Sequence, residues 1–177
     1  MGDEMRGLTG SADERAQFER RLKDYMRKPE SRSDDWGVTR GFVDRHDIIV
    51  LVGYGADDEQ AVVDSVLRAG VARGLIRSVR SCGEGGAAAC VGRCCKEGGV
   101  GCYVLESAET PSLEEAFKPL DGCAIISVSP KHVEALADLF DDVDVPYIAL
   151  GQVGGDRVTF CGAPDDKTYV DLAVDEL

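Results

Sequence analysis

The run from Leu75 to Cys95 constrains this chain more than any other: Leu-Ile-Arg-Ser-Val-Arg-Ser, then Cys-Gly-Glu-Gly-Gly, then Ala-Ala-Ala-Cys-Val-Gly-Arg-Cys-Cys. It reads as a strand entering a glycine-rich turn that opens a helix. Gly83, Gly85 and Gly86 let the backbone turn sharply and approach a ligand, and the first amide N–H groups of the helix then face an anion. Arg68, Arg73, Arg77, Arg80, Arg93 and Lys96 flank the turn with a single acid among them, Glu84, in a protein of formal net charge −13. This basic island suggests a site for an anionic small molecule. The structural alternative is that the three glycines serve only tight helix–sheet packing.

Hydrophobic periodicity supplies the frame. Ile48 to Val52 is a continuous apolar run, which implies a strand buried on both faces. Asp57-Asp58 is placed to cap a helix reaching about residue 72, with Val62, Val63, Val66, Leu67, Gly70 and Val71 along one face. A helix over 87–96, rich in Ala, Gly and Cys, can lie close to whatever it covers. Further strands are expected at Val100–Leu105, Cys123–Val128, Tyr147–Leu150 and Val158–Phe160. Pro130, with Ser129 as cap, opens a helix carrying Val133, Leu136, Leu139 and Phe140. Gly154-Gly155 and Cys161–Asp165 read as turns, the first as a hairpin turn between strands. Residues 1–37 are different: highly charged, with a capping box at Ser11-Ala-Asp-Glu14 and a helix over about 12–28. Its narrow stripe of Phe18, Leu22, Tyr25 and Met26 docks either on the domain or on a neighbour. Pro29 and the polar run to Asp35 read as a linker, and Trp36 beside it as a packing anchor.

Composition removes several function classes. An acidic surface repels nucleic acid, whose phosphates need a broad basic face. No apolar run approaches the roughly 20 residues of a membrane span, and charge from Asp3 onward leaves no apolar signal segment, so a cytoplasmic protein is expected. In that compartment Cys82, Cys90, Cys94, Cys95, Cys102, Cys123 and Cys161 read as reduced thiols. A zinc site at Cys90, Cys94, Cys95 and Cys102 lacks paired knuckles, and His46 and His132 lie far off in sequence. The expectation is therefore no metal, with cysteines filling a helix–sheet contact as small hydrophobes.

The same segments resemble a family. The strand, the acid followed by Gly-Gly and the small-residue helix are similar to the C-terminal domain shared by aminoimidazole ribonucleotide synthetase and phosphoribosylformylglycinamidine synthase. Gly41-Phe-Val-Asp-Arg-His-Asp-Ile-Ile-Val-Leu-Val-Gly53, Ile125–Leu136, Val145–Gly154 and Tyr169–Leu177 resemble its other segments in the family's order, covering roughly 40–177. Two places depart from the pattern. Ser81 stands where the family carries a carboxylate, and Phe117–Cys123 lacks the family's Glu and Arg.

The resemblance implies an α+β fold: a three-layer α/β/α domain with a mixed β-sheet over 38–177, preceded by the helical extension 1–37. It implies a parent reaction in which ATP phosphorylates an amide oxygen and ammonia then displaces phosphate to form an amidine. ATP and magnesium would belong to a partner ATP-binding domain, for which residues 1–40 carry no pattern. This chain is thus expected to hold no catalytic residue and no cofactor of its own. It would offer the glycine loop, Gly83, Glu84, Gly85 and Gly86, together with Arg80 and Ser81 as the phosphate-binding residues, to a sugar phosphate and associate with the ATP-binding half or with another copy. Two alternatives stand beside this: a non-catalytic scaffold domain that kept the fold, and a dinucleotide site in which Gly83-x-Gly85-x-x-Ala88 forms the fingerprint and Glu106 the ribose-binding acid.

Overall fold

The computed structural model describes residues 2–30, 34–55, 60–105, 115–162 and 167–177. The side chain of Ser11, the Asp57-Asp58 cap, Glu106 and most of the 161–165 turn lie outside the described residues. Helix α1 spans Gly2–Arg27 and strand β1 Ile48–Val52, followed by α2 (Gln60–Ala72), β2 (Ser78–Ser81), α3 (Gly86–Gly98), β3 (Cys102–Leu105) and β4 (Ala124–Val128). A 3-10 turn at Pro130–His132 leads into α4 (Val133–Asp142), then β5 (Tyr147–Val153), β6 (Arg157–Gly162), β7 (Lys167–Ala173) and a closing 3-10 turn at Val174–Glu176. The strands form one seven-stranded sheet in the order β2-β4-β1-β5-β3-β6-β7. Neighbours run antiparallel except for β3 and β6, which are parallel, so the sheet is mixed.

Two cores lie on opposite faces, which makes the three layers. On one, Ile49, Leu51, Ile125, Leu150, Val158, Phe160 and Val170 meet α1 and α3. On the other, Val50, Val52, Val79, Ile126 and Val128 meet Val63, Val66 and Leu67 of α2 and Leu136, Leu139 and Phe140 of α4. Consecutive strand residues alternate faces, so the unbroken apolar run of β1 serves both cores. The covering on the second face is partial: on β3, Tyr103 is 46% and Leu105 37% exposed.

The N-terminal helix departs from the sequence reading. It begins at Gly2, so Ser11 is inside it and not at its cap. Its apolar stripe docks on the domain, because Phe18, Leu22 and Met26 are buried in the α3-side core, Leu22 completely. Small residues on α3 permit this: a Cβ at Gly92 would stand 2.9 Å from Leu22 Cδ1 and 3.1 Å from Met26 Cε. The segment after α1 closes the β2 edge of the sheet. Thr39 bridges Ser78 in parallel, its carbonyl accepts the Val79 N–H at 3.1 Å, and Trp36 is buried in the α2-side core. At the opposite edge a Glu19 carboxylate oxygen accepts the backbone N–H of Asp171 on β7 at 3.2 Å. Both edges thus carry contacts from the extension, which limits strand pairing with other molecules.

The turn at 154–155 is not a hairpin, since β5 and β6 flank β3 instead of pairing with each other. The turn passes over the start of β3, held by Gly101 N–H to Gly155 C=O at 2.8 Å and Gly154 N–H to Gly101 C=O at 2.9 Å. A Cβ at Gly101 would lie 2.2 Å from the carbonyl oxygen of Arg157, so only glycine fits beneath the crossing. The periodicity reading does not include strand β7, although Val170 and Leu172, both buried, alternate with Asp171 as a strand's two faces do. Ser129 caps the Pro130 turn in extended conformation, but its side chain makes no capping bond.

Candidate functional site

The glycine loop takes the expected strand–turn–helix form. Gly85 is the N-cap of α3 at φ 88° and Gly86 follows at φ 65°, both in the left-handed region. Glycine is required for a second reason, closeness. A Cβ at Gly85 would lie 2.5 Å from Ala89 Cβ and 2.8 Å from Tyr25 Cδ1, and one at Gly86 would lie 2.3 Å and 2.6 Å from the carbonyl oxygens of Lys118 and Ala116. Gly83, Gly85 and Gly86 are buried and Glu84 is exposed.

Several polar groups of this turn already have partners. The Gly86 N–H donates to Gly83 C=O at 3.1 Å, the Ala88 N–H to Ala116 C=O at 2.9 Å, and the Leu120 N–H also reaches Gly83 C=O at 3.2 Å. The segment 116–120 is thereby laced to the start of α3. Arg93, one turn of helix beyond Ala89, donates to Glu84 C=O at 3.5 Å and to Tyr25 C=O at 3.1 Å. Tyr25 stacks on Phe117 with centroids 5.8 Å apart, the Arg21 guanidinium lies 4.4 Å from the Phe117 ring centre, and the Lys28 ammonium lies 4.7 Å from that of Tyr25. The last turn of α1 therefore sits on the loop.

Arg80 and Ser81 do not join the glycines in one constellation. They are adjacent on a strand and point to opposite faces. Arg80 is buried beneath α3, where its guanidinium donates to Glu30, to Glu97 at 2.9 Å and to the Arg40 carbonyl at 3.1 Å. Glu97 is near the far end of α3, roughly 16 Å along the axis from Gly86 at 1.5 Å per residue. Ser81 Oγ donates to Asp34 at 2.7 Å and accepts from Trp36 Nε1 at 3.1 Å. The rest of the basic island is dispersed likewise: Arg68 stacks on Trp36, and Arg77 pairs with Asp47 at 2.6 Å and Asp44 at 2.8 Å. An open cavity of about 520 Å³ borders Lys96, Gly99, Asp156 and Val174, at the other end of α3 from the loop.

All seven cysteines are buried free thiols, and Cys82, Cys90, Cys94, Cys95, Cys102 and Cys123 belong to the α3-side core. Burial pushes the Cys90 and Cys94 thiols well up from the ordinary thiol value; for Cys95 a hydrogen bond with Cys102 acts first and burial adds to it. Among the described residues no group of three or more His, Cys, Asp or Glu side chains is arranged to hold a metal. Nor is any described helix long and apolar enough to cross a membrane. The dinucleotide alternative needs a parallel βαβ unit at the loop, whereas β2 is an edge strand antiparallel to its neighbour β4.

Comparison with known proteins places this geometry. Residues 55–161, more than half of the chain, match the family described as AIR synthase related protein, C-terminal domain. The chain belongs to this family. The PurL subunit of phosphoribosylformylglycinamidine synthase from Thermobifida fusca is 35% identical over 102 residues, which are 58% of this chain and 13% of that protein. Thermotoga maritima PurL shares the fold: its complex with ADP superposes with a TM-score of 0.67 at 13% identity, covering 80% of this chain and 27% of that one. Its complex with FGAR gives 0.67 at 12%, covering 80% and 29%. The hydrogenase maturation protein HypE is also similar, with a TM-score of 0.56 at 17% identity, covering 71% of this chain and 50% of the other. The family domain thus spans a small part of its PurL relatives, and it carries their α+β architecture with a mixed sheet.

Proposed function

We propose that this chain acts as the C-terminal-type domain of a PurL-like unit in purine biosynthesis, and that it is not catalytic alone. The observation that carries the reading is the family match over 55–161, which contains the glycine loop, β3, β4 and α4 in order. In this reading ATP and magnesium bind a partner domain, where the amide oxygen is phosphorylated and ammonia displaces the phosphate. This domain faces the sugar phosphate through the backbone of residues 83–86, with Arg93, which donates to the Glu84 carbonyl, as a neighbouring cation; Arg80 and Ser81 support the sheet edge. The partner docks on the half of the sheet left exposed at Tyr103, Leu105, Ala149 and Gln152, the layer opposite α1 and α3. The occupancy of Arg80 and Ser81 by Glu30 and Asp34 favours one second reading, a scaffold domain that docks this partner without touching substrate.

Two measurements test the proposal. The purified chain is expected to hydrolyse no ATP and form no amidine; turnover by it alone would overturn the reading. Mixed with the ATP-binding half of a PurL-type protein, it is expected to form a complex by light scattering, weakened at least tenfold by Leu105→Asp. Two masses that stay separate on mixing at high concentration would count against docking.

A further inference from the structure

We infer that the open cavity at the C-terminal end of α3 is a binding site for a small zwitterion, an α-amino acid with an aliphatic side chain. It lies at the other end of α3 from the glycine loop and is independent of that loop. Its volume, about 520 Å³, falls within the roughly 300–1,000 Å³ of small-molecule sites. Three backbone segments form the walls, and hydrogen bonds fix each of them. The Gly99 N–H donates to Cys95 C=O at 2.8 Å and closes α3, the turn before Asp156 is held to Gly101 through Gly154 and Gly155, and the Val174 N–H donates to Asp156 C=O at 2.9 Å. Val174 and Leu177 also pack against the α3-side core. The cavity is therefore preformed, and a ligand entering it has little chain to order. Gly99 keeps its own wall open, since nothing lies within 4 Å of the position a Cβ would take.

The charges bordering this cavity are of both signs and are uncommitted. Lys96, Asp156 and Asp175 line it, and among the described residues none of the three enters an ion pair. Their charged neighbours are engaged: Arg157 pairs with Asp171 at 2.6 Å, Lys23 with Glu176 at 3.9 Å, and a Glu176 carboxylate oxygen accepts the Ala173 N–H at 3.2 Å. A ligand of one sign satisfies part of this set and repels the rest, because an anion meets two carboxylates and a simple cation meets an ammonium. A zwitterion suits both, with its carboxylate on Lys96 and its ammonium at Asp156 and Asp175. The carbonyls that end α3 carry partial negative charge and favour the ammonium on this side. Beside these charges Ala173, Val174 and Leu177 supply apolar surface, which an aliphatic side chain covers.

The test is calorimetric titration of L-leucine into the full chain, with leucinamide and N-acetyl-leucine as probes that lack the carboxylate and the ammonium respectively. Leucine is expected to bind at least tenfold more tightly than either. Lys96→Gln is expected to weaken leucine at least tenfold without weakening leucinamide, and Asp156→Asn/Asp175→Asn to weaken leucine at least tenfold without weakening N-acetyl-leucine. Both variants change exposed side chains, and thermal melts matching the native chain establish that they fold. Absence of binding heat from the folded native chain at millimolar leucine would overturn the inference. So would equal binding of the three probes, which would mean an apolar surface only, or leucine binding that both variants leave unchanged, which would place the ligand elsewhere.

Discussion

Gly86→Ala is expected to lower the stability of the domain by about 3–5 kcal/mol, combining the cost of a left-handed non-glycine residue with that of overpacking. The added methyl would stand 2.3 Å and 2.6 Å from the carbonyl oxygens of Lys118 and Ala116. Neither is free to retreat. The Ala116 carbonyl accepts the Ala88 N–H at 2.9 Å, and the Lys118 N–H is held by Glu115 C=O at 3.0 Å. Gly99 supplies the control, because it has nearly the same φ, 66°, and no atom within 4 Å of the position a Cβ would take. Gly99→Ala should cost only about 1–2 kcal/mol, the conformational part alone. Urea unfolding of the two variants separates the contributions, and equal losses would show that close packing at Gly86 is not what requires glycine. The same geometry bears on any binding test at the neighbouring Gly85: a Gly85→Val chain that fails to bind would have lost the Tyr25 and Ala89 packing as well.

Alkaline pH should unfold the domain steeply. The thiols of Cys90, Cys94 and Cys95 are raised well above the ordinary value in the folded chain, whereas in the unfolded chain a thiol ionises near about 8.5. Above that pH the unfolded state binds fewer protons than the folded one, so stability falls as pH rises. The stabilisation is intact below the unfolded value and is lost on the way up through the folded values. Each thiol contributes about 1.4 kcal/mol per pH unit in this window, so the three together give a slope of about 4 kcal/mol per unit. The thiols should leave urea midpoints unchanged between about pH 6 and 8 and pull them down sharply from about pH 9 to 10. Cys90→Ala should remove about a third of the slope while lowering stability at neutral pH. A midpoint holding steady to about pH 10 would mean that these thiols ionise as readily folded as unfolded.

The elements that can be read from sequence are those whose signal is local. The β1 run Ile48–Val52, the α2 stripe, the strand–glycine–helix succession at 78–98 and the Pro130 turn each rest on neighbouring residues whose conformation is set by their own periodicity or by a glycine or proline. The α3 composition is informative in the same way: small residues signal close packing, and α1 and the sheet supply it from both sides. The thiols, too, are legible as core residues from their spacing along that helix. What escapes such a reading depends on contacts distant in sequence. The 154–155 turn looks like a hairpin until β3 is found between its two strands, a pairing that no short-range pattern records. The capping box is a local motif that points to a helix start at Ser11, but α1 continues through it to Gly2.

The amino-acid sequence by itself determined the alternation of helices and strands, the glycine turn at 83–86 and the family to which 55–161 belongs, because each is written in residues close together along the chain. Only the tertiary structure decided what surrounds that turn. Six cations within 68–96 look like one basic site in sequence, yet strand alternation and the two-sided helix layers send Arg68, Arg77, Arg80 and Arg93 to separate partners. The groups that meet the glycines come instead from far away, Tyr25 from α1 and the Ala116 and Lys118 carbonyls from the segment before β4. The physical reason is that a strand residue's facing and a helix's covering layer are set by which elements share a core, and that is a property of the whole packed sheet.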